Sequence, residues 1–230
     1  MRQAFAWTGA ALFVLSLLSF VVAYLWRFGF AISGGWDATA WRDTLDNLIL
    51  FTIFALHHSV MARTGAKAWI TKIVPAELER SVYVWIASLL FLAVCWLWQP
   101  LPGVAWSVPP PLSYVFTAIQ LIGVFLTLQS ARIVGIWDLA GVKPPYPLGD
   151  VEFKTIGPYG IVRHPIYLGW VLIVFAAPVM TTSRLLFATV STFYLVVAIP
   201  LEEGSLVAAF GDKYRSYQQR MRWRLLPYIW

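Results

Sequence analysis

The chain has one cysteine, three histidines and few charges of either sign. Cys95 stands alone among 230 residues, so no disulfide and no cysteine-built metal centre can form within one chain. Inside an apolar run, a lone thiol reads as a small apolar filler. Asp and Glu number 11 against 17 Lys and Arg, and charged residues make up only 12% of the composition, too little for a water-soluble domain of this length. Low-complexity tracts and internal repeats are lacking as well, which argues against a repeat array. Apolar residues take the place of what is missing: 60% of the chain is hydrophobic and the mean hydropathy is +0.70. That composition belongs to an integral membrane protein.

Apolar runs at 5–26, 45–61, 82–98, 112–134, 166–180 and 185–201 predict six transmembrane helices, with five to seven as the range, in an all-α polytopic bundle. A span needs about 20 helical residues, so the run at 166–180 is short for a perpendicular crossing. The first run is followed by Arg27 and Phe28 rather than by a small-residue cleavage site, and it reads as a retained anchor. The proline-rich connection at 101–111 carries no basic residue and reads as a stiff loop. With six spans, fourteen Lys and Arg, among them Arg63, Lys143, Lys154, Arg163 and Arg220, fall on one side, and Arg27, Arg42 and Arg184 on the other. The positive-inside rule assigns the first side, with both termini, to the cytoplasm. The formal net charge of +6 then faces anionic lipid, not nucleic acid, because it is divided among separate segments. No obligate protein partner is evident.

Two polar clusters stand at the ends of consecutive apolar runs. The first is Gly157-Pro158-Tyr159-Gly160-Ile161-Val162-Arg163-His164-Pro165-Ile166-Tyr167-Leu168-Gly169, and the second is Glu202-Glu203. Polar groups in such positions mark bound polar ligands. Pro165 suits the first turn of a helix and pushes His164 toward extended backbone. The short connection at 181–184 predicts a helical hairpin that returns Glu202 and Glu203 to the level of His164 and Tyr167. A carboxylate there suits a ligand bearing an amino or sulfonium cation, or a ribose diol, and the faces of Tyr159, Tyr167 and Tyr214 suit a cation. The plainer alternatives are a solvated helix end, or an ion pair between Arg163 and a glutamate. Beyond the glutamates, Leu206, Phe210, Tyr214, Tyr217 and Met221 recur at helical spacing and predict an amphipathic cytoplasmic helix. His57 and His58, near the end of the second run, are adjacent on a helix and diverge by about 100°, so they do not share a metal. One of them either lines a pocket or bonds a neighbouring helix.

The motif running from Gly157 to Gly169, with Glu202-Glu203 and Phe210-Gly211-Asp212-Lys213-Tyr214, resembles the C-terminal signature of the isoprenylcysteine carboxyl methyltransferase superfamily, which includes phospholipid methyltransferases. The stretch Leu56-His57-His58-Ser59-Val60-Met61-Ala62-Arg63, with Glu79-Arg80-Ser81-Val82-Tyr83-Val84, is similar to the methanethiol S-methyltransferase and nurim-like branch. That branch has a glutamine where this chain has His57, so only His58 carries over. The resemblance implies a membrane methyltransferase that uses S-adenosylmethionine, and no Gly-x-Gly-x-x-Gly after a strand argues for a Rossmann domain instead. It divides the chain into four N-terminal spans at 1–135 and a methyltransferase-like region at 136–230. By carry-over the cofactor is held by Tyr159, Gly160, Arg163, His164, Tyr167, Gly169, Glu202 and Glu203. His58, Arg163 and His164 are the catalytic candidates, and no metal is implied. The expected acceptor is methanethiol or another small thiol. A prenylcysteine carboxylate or phospholipid-like acceptor is the alternative, and a non-enzymatic nurim-like or nitric-oxide-respiration-associated role is a further one. The expected location is a bacterial inner membrane.

Overall fold

The computed structural model describes residues 2–61, 63–142 and 155–230. Ala62, Lys143 and Lys154, which entered the sequence reading, lie outside the described residues. In chain order the elements are α1 (Arg2–Val22, prolonged by a π-helical turn at Ala23–Arg27), α2 (Ala38–Met61), α3 (Thr64–Ile70) and α4 (Glu79–Leu97). They continue with β1 (Val104–Ser107), α5 (Leu112–Val134), α6 (Ile136–Leu139) and a 3-10 turn at Gly157–Gly160. The chain then forms α7 (Pro165–Phe175), β2 (Val179–Thr181), α8 (Thr182–Phe210) and α9 (Asp212–Arg220).

Among the described residues, five helices are long and apolar enough to cross a membrane: α1 with its extension, α2, the α4 segment, α5 and α8. The chain is an all-α integral membrane bundle. The expected fifth span, α7, has 11 residues and at 1.5 Å per residue covers only about half of a hydrocarbon core. The sequence expectation placed its end near 180. In the structure it stops at Phe175, where Pro178 lies ahead, and Val179–Thr181 pairs antiparallel with Val104–Ser107. The connection at 101–111 is therefore partly strand, and the hairpin joint expected at 181–184 is instead the end of β2 and the start of α8. The helix expected to run on through Met221 is broken at Gly211, whose φ of +54° and ψ of −127° suit glycine alone. Met221 lies beyond the end of α9.

Contacts divide the chain into two units that interleave along the sequence. The first holds α1 to α4, both strands and α8 up to Val190. Lipid gives helices no hydrophobic reason to associate, so close contact falls to small residues. Ala6, Gly9 and Ala10 form such a stripe on α1, where a Cβ on Gly9 would stand 2.8 Å from the Trp85 ring of α4. Aromatic rings of Phe20, Tyr24, Phe28, Phe51, Trp98 and Phe187 fill one end of this unit. Arg184, 9% exposed, closes it by donating to the carbonyls of Tyr24, Leu25 and Val179 and lying over the Tyr24 ring. Carbonyls near a helix end draw donors from outside the helix, and Arg184 donates to two of them here. Arg184→Leu is expected to lower unfolding stability by about 3 kcal/mol, from the loss of its several buried hydrogen bonds, read as a fall in the detergent melting temperature. An unchanged melting temperature would show that the cap is dispensable.

The second unit holds α5, α7, α9, the rest of α8 and the C-terminal tail. Here α5 and α7 cross closely. A Cβ added to Gly123 would stand 2.6 Å from the Gly169 carbonyl, and the reverse substitution meets the Gly123 carbonyl at the same distance. Beside this crossing Val162, Leu168, Ile199 and Leu225 make a buried cluster, with Tyr167, Trp223 and Trp230 against it.

Candidate active site

Pro165 occupies the first position of α7, and His164 precedes it at φ −123°, the local geometry that the His-Pro sequence dictates. That turn aims the Arg163 and His164 side chains at the stretch of α8 carrying Glu202 and Glu203. Arg163 is 8% exposed, His164 6% and Glu203 3%. Buried charges of this kind persist only when paired and fully hydrogen-bonded. The Glu203 carboxylate meets that condition several times over. It accepts from Arg163 Nε at 2.6 Å and Nη2 at 3.2 Å, lies 3.2 Å from His164 Nε2 and from Arg224 Nε, and accepts from Gln218 Nε2 at 3.3 Å.

The remaining Arg163 donor is taken by main chain. Nη1 reaches the Met221 carbonyl at 2.7 Å and the Arg222 carbonyl at 3.0 Å. The backbone N–H groups of Arg163 and His164 donate to the carbonyls of Trp223 and Arg224, both at 2.9 Å. The tail after α9 thus hooks back and cradles the Arg-His turn. Tyr217, 4% exposed, ties the same hook to the 3-10 turn by donating to the Tyr159 carbonyl at 2.7 Å.

Glu202 is in a different situation. Its side chain is 42% exposed, and it accepts from Tyr167 Oη at 2.7 Å while standing 3.7 Å from His164 Nδ1. The His164 and Tyr167 rings are stacked, 5.4 Å between centroids and 9° apart in plane. Burial pushes the Tyr159 phenol up to about 12, and the Glu202 charge adds to the rise. Burial likewise raises Tyr217 and Tyr214 far above the usual phenol range, with nearby negative charges contributing. All three phenols remain hydroxyl donors at neutral pH. The cluster therefore presents one accessible carboxylate, Glu202, on a platform made rigid by a second, saturated one.

The residues expected from sequence separate into three groups. Arg163, His164, Tyr167, Glu202 and Glu203 come together, with Tyr159 held beside them through Tyr217. Gly160 stands in open space, where a Cβ would meet nothing within 4 Å, whereas Gly169 is placed by its tight contact with α5. His58 lies in the first unit, where its Nδ1 is 2.8 Å from Tyr83 Oη and its ring is tilted against Phe54. The His57 ring stacks on Tyr83 at 6.0 Å, and both of its buried nitrogens have no hydrogen-bond partner among the described residues.

Sequence reasoning missed Tyr83, Gln218, Arg224 and the tail carbonyls. Tyr83 carried two signals, its place in the Glu79-to-Val84 stretch of the resemblance and its position one helical turn after the buried Glu79 on α4. Arg224 carried only its basic character, and carbonyls have no sequence signature at all.

Comparison with known proteins bears on this arrangement. The family described as phospholipid methyltransferase matches residues 113–213. Methanethiol S-methyltransferase 1 of Bradyrhizobium diazoefficiens is 39% identical, over 94% of this chain and 80% of its own length. The chain belongs to the methanethiol S-methyltransferase family. Another member, methanethiol S-methyltransferase of Mycobacterium tuberculosis, is 37% identical over 93% of each chain. Nurim of Xenopus laevis is more distant, 28% identical over 71% of this chain and 67% of its own. No solved structure matches. Membership of the methanethiol S-methyltransferase family makes this chain a membrane-embedded methyltransferase, an enzyme that moves a methyl group from a donor to a small molecule.

Proposed function

We propose that the protein transfers the methyl group of S-adenosylmethionine to methanethiol or a closely similar small thiol. The observation that carries this reading is the extent of the likeness. The phospholipid methyltransferase match covers 113–213 alone, whereas the Bradyrhizobium and Mycobacterium methanethiol S-methyltransferases match over more than nine-tenths of the chain, α2 and α4 included.

The donor set fits a cationic methyl donor. Glu202 offers an accessible carboxylate, Tyr167 fixes that carboxylate by donating to it, and the His164 ring stacked on Tyr167 holds the phenol in place. Charge-assisted contacts of this kind are the strong ones. When bound, S-adenosylmethionine supplies a methyl carbon already activated by its sulfonium, so alignment and exclusion of water account for much of the acceleration. Glu203 and Arg163 neutralise each other, and their part is to hold the platform.

A thiol acceptor must lose its proton to become a competent nucleophile. His58 is the group assigned that proton, with Tyr83 Oη on its Nδ1 to set the ring's orientation and tautomer. The distribution of basic residues supports a cytoplasmic site and cytoplasmic termini in a bacterial inner membrane.

The test is labelled-methyl transfer by purified protein in detergent, offered methanethiol, a prenylcysteine and a phospholipid in parallel. The expected result is transfer to methanethiol, giving dimethyl sulfide. Transfer only to one of the other two would reassign the acceptor. A protein whose melting temperature does not respond to S-adenosylmethionine or S-adenosylhomocysteine would overturn the donor.

A further inference from the structure

A cavity of about 360 Å³ opens on the C-terminal hook, and neither Glu202 nor Glu203 lines it. Its lining includes Gly160, Arg220, Arg222, Trp223, Pro227 and Tyr228. The charges around it sort by their partners. Arg215 pairs with Asp212, Arg224 with Glu203, and Arg163 with Glu203. Arg220 and Arg222 pair with no acid among the described residues, and both are exposed. Trp223 and Tyr228 lie 5.4 Å apart between ring centroids on the same rim, and Tyr228 and Ile229 are 85% and 77% exposed.

Two unpaired guanidinium groups at one concave opening attract an anion, and their planar forks match phosphate oxygens. A net-cationic sulfonium ligand is repelled by the same pair, which separates this cavity from the Glu202 platform. The surroundings fix the source of the anion. The hook follows α8, a helix apolar and long enough to span the bilayer, after only the short helix α9. Exposed aromatic and aliphatic side chains beside arginines are the makeup of a segment resting at the membrane–water boundary. We propose that this cavity seats the phosphate of an anionic phospholipid headgroup, with Arg220 and Arg222 as its ligands and with Trp223, Tyr228 and Ile229 in the interfacial layer.

The seat is coupled to the active-site cluster through main chain. The carbonyls of Met221 and Arg222 hold the Arg163 guanidinium, and those of Trp223 and Arg224 hold the Arg163 and His164 amides. A lipid phosphate bridging Arg220 and Arg222 therefore stiffens the stretch of backbone that positions Arg163 against Glu203. This coupling rests on the methyl-transfer reading, whereas the lipid seat does not.

The experiment is a lipid titration of the full chain in detergent, read by native mass spectrometry, with phosphatidylglycerol and phosphatidylcholine compared. Wild type is expected to retain phosphatidylglycerol selectively. Arg220→Gln and Arg222→Gln should each weaken retention about fivefold, and the double variant about 25-fold. Lys213→Gln, a basic residue of the same segment outside the cavity, should leave retention within about twofold of wild type. An equal loss in Lys213→Gln would show diffuse attraction and overturn the seat, as would unchanged retention by the double variant. Competition by millimolar inorganic phosphate would make a free anion the occupant and overturn the lipid. S-adenosylhomocysteine binding by the double variant in lipid-free detergent should match wild type, and its loss would hand the cavity to the methyl donor. If the double variant loses lipid while methyl transfer is absent from wild type too, the seat stands and the methyl-transfer reading falls.

Discussion

Glu203→Ala is expected to abolish S-adenosylmethionine binding and to lower the melting temperature by roughly 10 °C, while Glu202→Gln weakens binding and leaves the melting temperature alone. The contrast follows from burial. Glu203 is 3% exposed and shared by Arg163, His164, Arg224 and Gln218. Removing it leaves the Arg163 charge buried without its counter-ion, which destabilises by about 3–5 kcal/mol. The hook and the Arg-His turn lose their common anchor at the same moment. Glu202 has no such burden. Its amide analogue still accepts from Tyr167 but no longer carries the charge that a cationic donor needs, a difference of about 10- to 100-fold in affinity. Thermal-shift titration with S-adenosylhomocysteine reads both quantities in one experiment. Normal affinity in Glu202→Gln would remove that residue from the ligand, and an unshifted melting temperature in Glu203→Ala would show that the saturated carboxylate is not structural.

His58→Ala should reduce turnover of methanethiol by a factor of about 10²–10⁴, the usual contribution of a positioned base, with donor affinity unchanged. Tyr83→Phe should lower turnover by about tenfold, since the imidazole remains but loses the hydroxyl at 2.8 Å that orients it. Both defects should shrink as pH rises toward the ionisation of the free thiol, because a thiolate needs no base. Initial rates across that pH range, at saturating donor, make the measurement. A loss that is constant with pH would assign His58 a packing role beside Tyr83, and unchanged turnover would remove it from the reaction.

The bundle was legible because spans are written in side chains. Pro111 and Gly135 bracket α5, and its 112–134 limits were readable from them and from the apolar run between. Pro165 similarly marked the start of α7. The meeting of His164 with Glu202 and Glu203 followed from two consecutive apolar runs joined closely enough to run antiparallel, the second of them part of the 29-residue α8.

What escaped notice was written in the main chain or at long range. Val104–Ser107 is four residues with no alternation to betray a strand, and its partner lies over seventy residues away. Gly211 interrupts the apolar stripe through Tyr214 and Tyr217 without changing its spacing, so periodicity alone carried the predicted helix past the break. The hook's carbonyls were invisible for a different reason: any residue supplies one. Gly169 illustrates the reverse case, a motif glycine expected at the ligand whose position is accounted for by the α5 crossing.

Because the hook grips Arg163 with carbonyl oxygens and not with side chains, its outward-facing residues are released from that duty. Met221 and Arg222 can be exchanged without altering the oxygens that hold the guanidinium, whereas Trp223 also packs against the buried cluster of Val162, Leu168, Ile199 and Leu225. The segment is therefore open to evolutionary drift on its outer surface while its inner geometry stays constant. One lineage can retune this surface without redesigning the candidate site behind it.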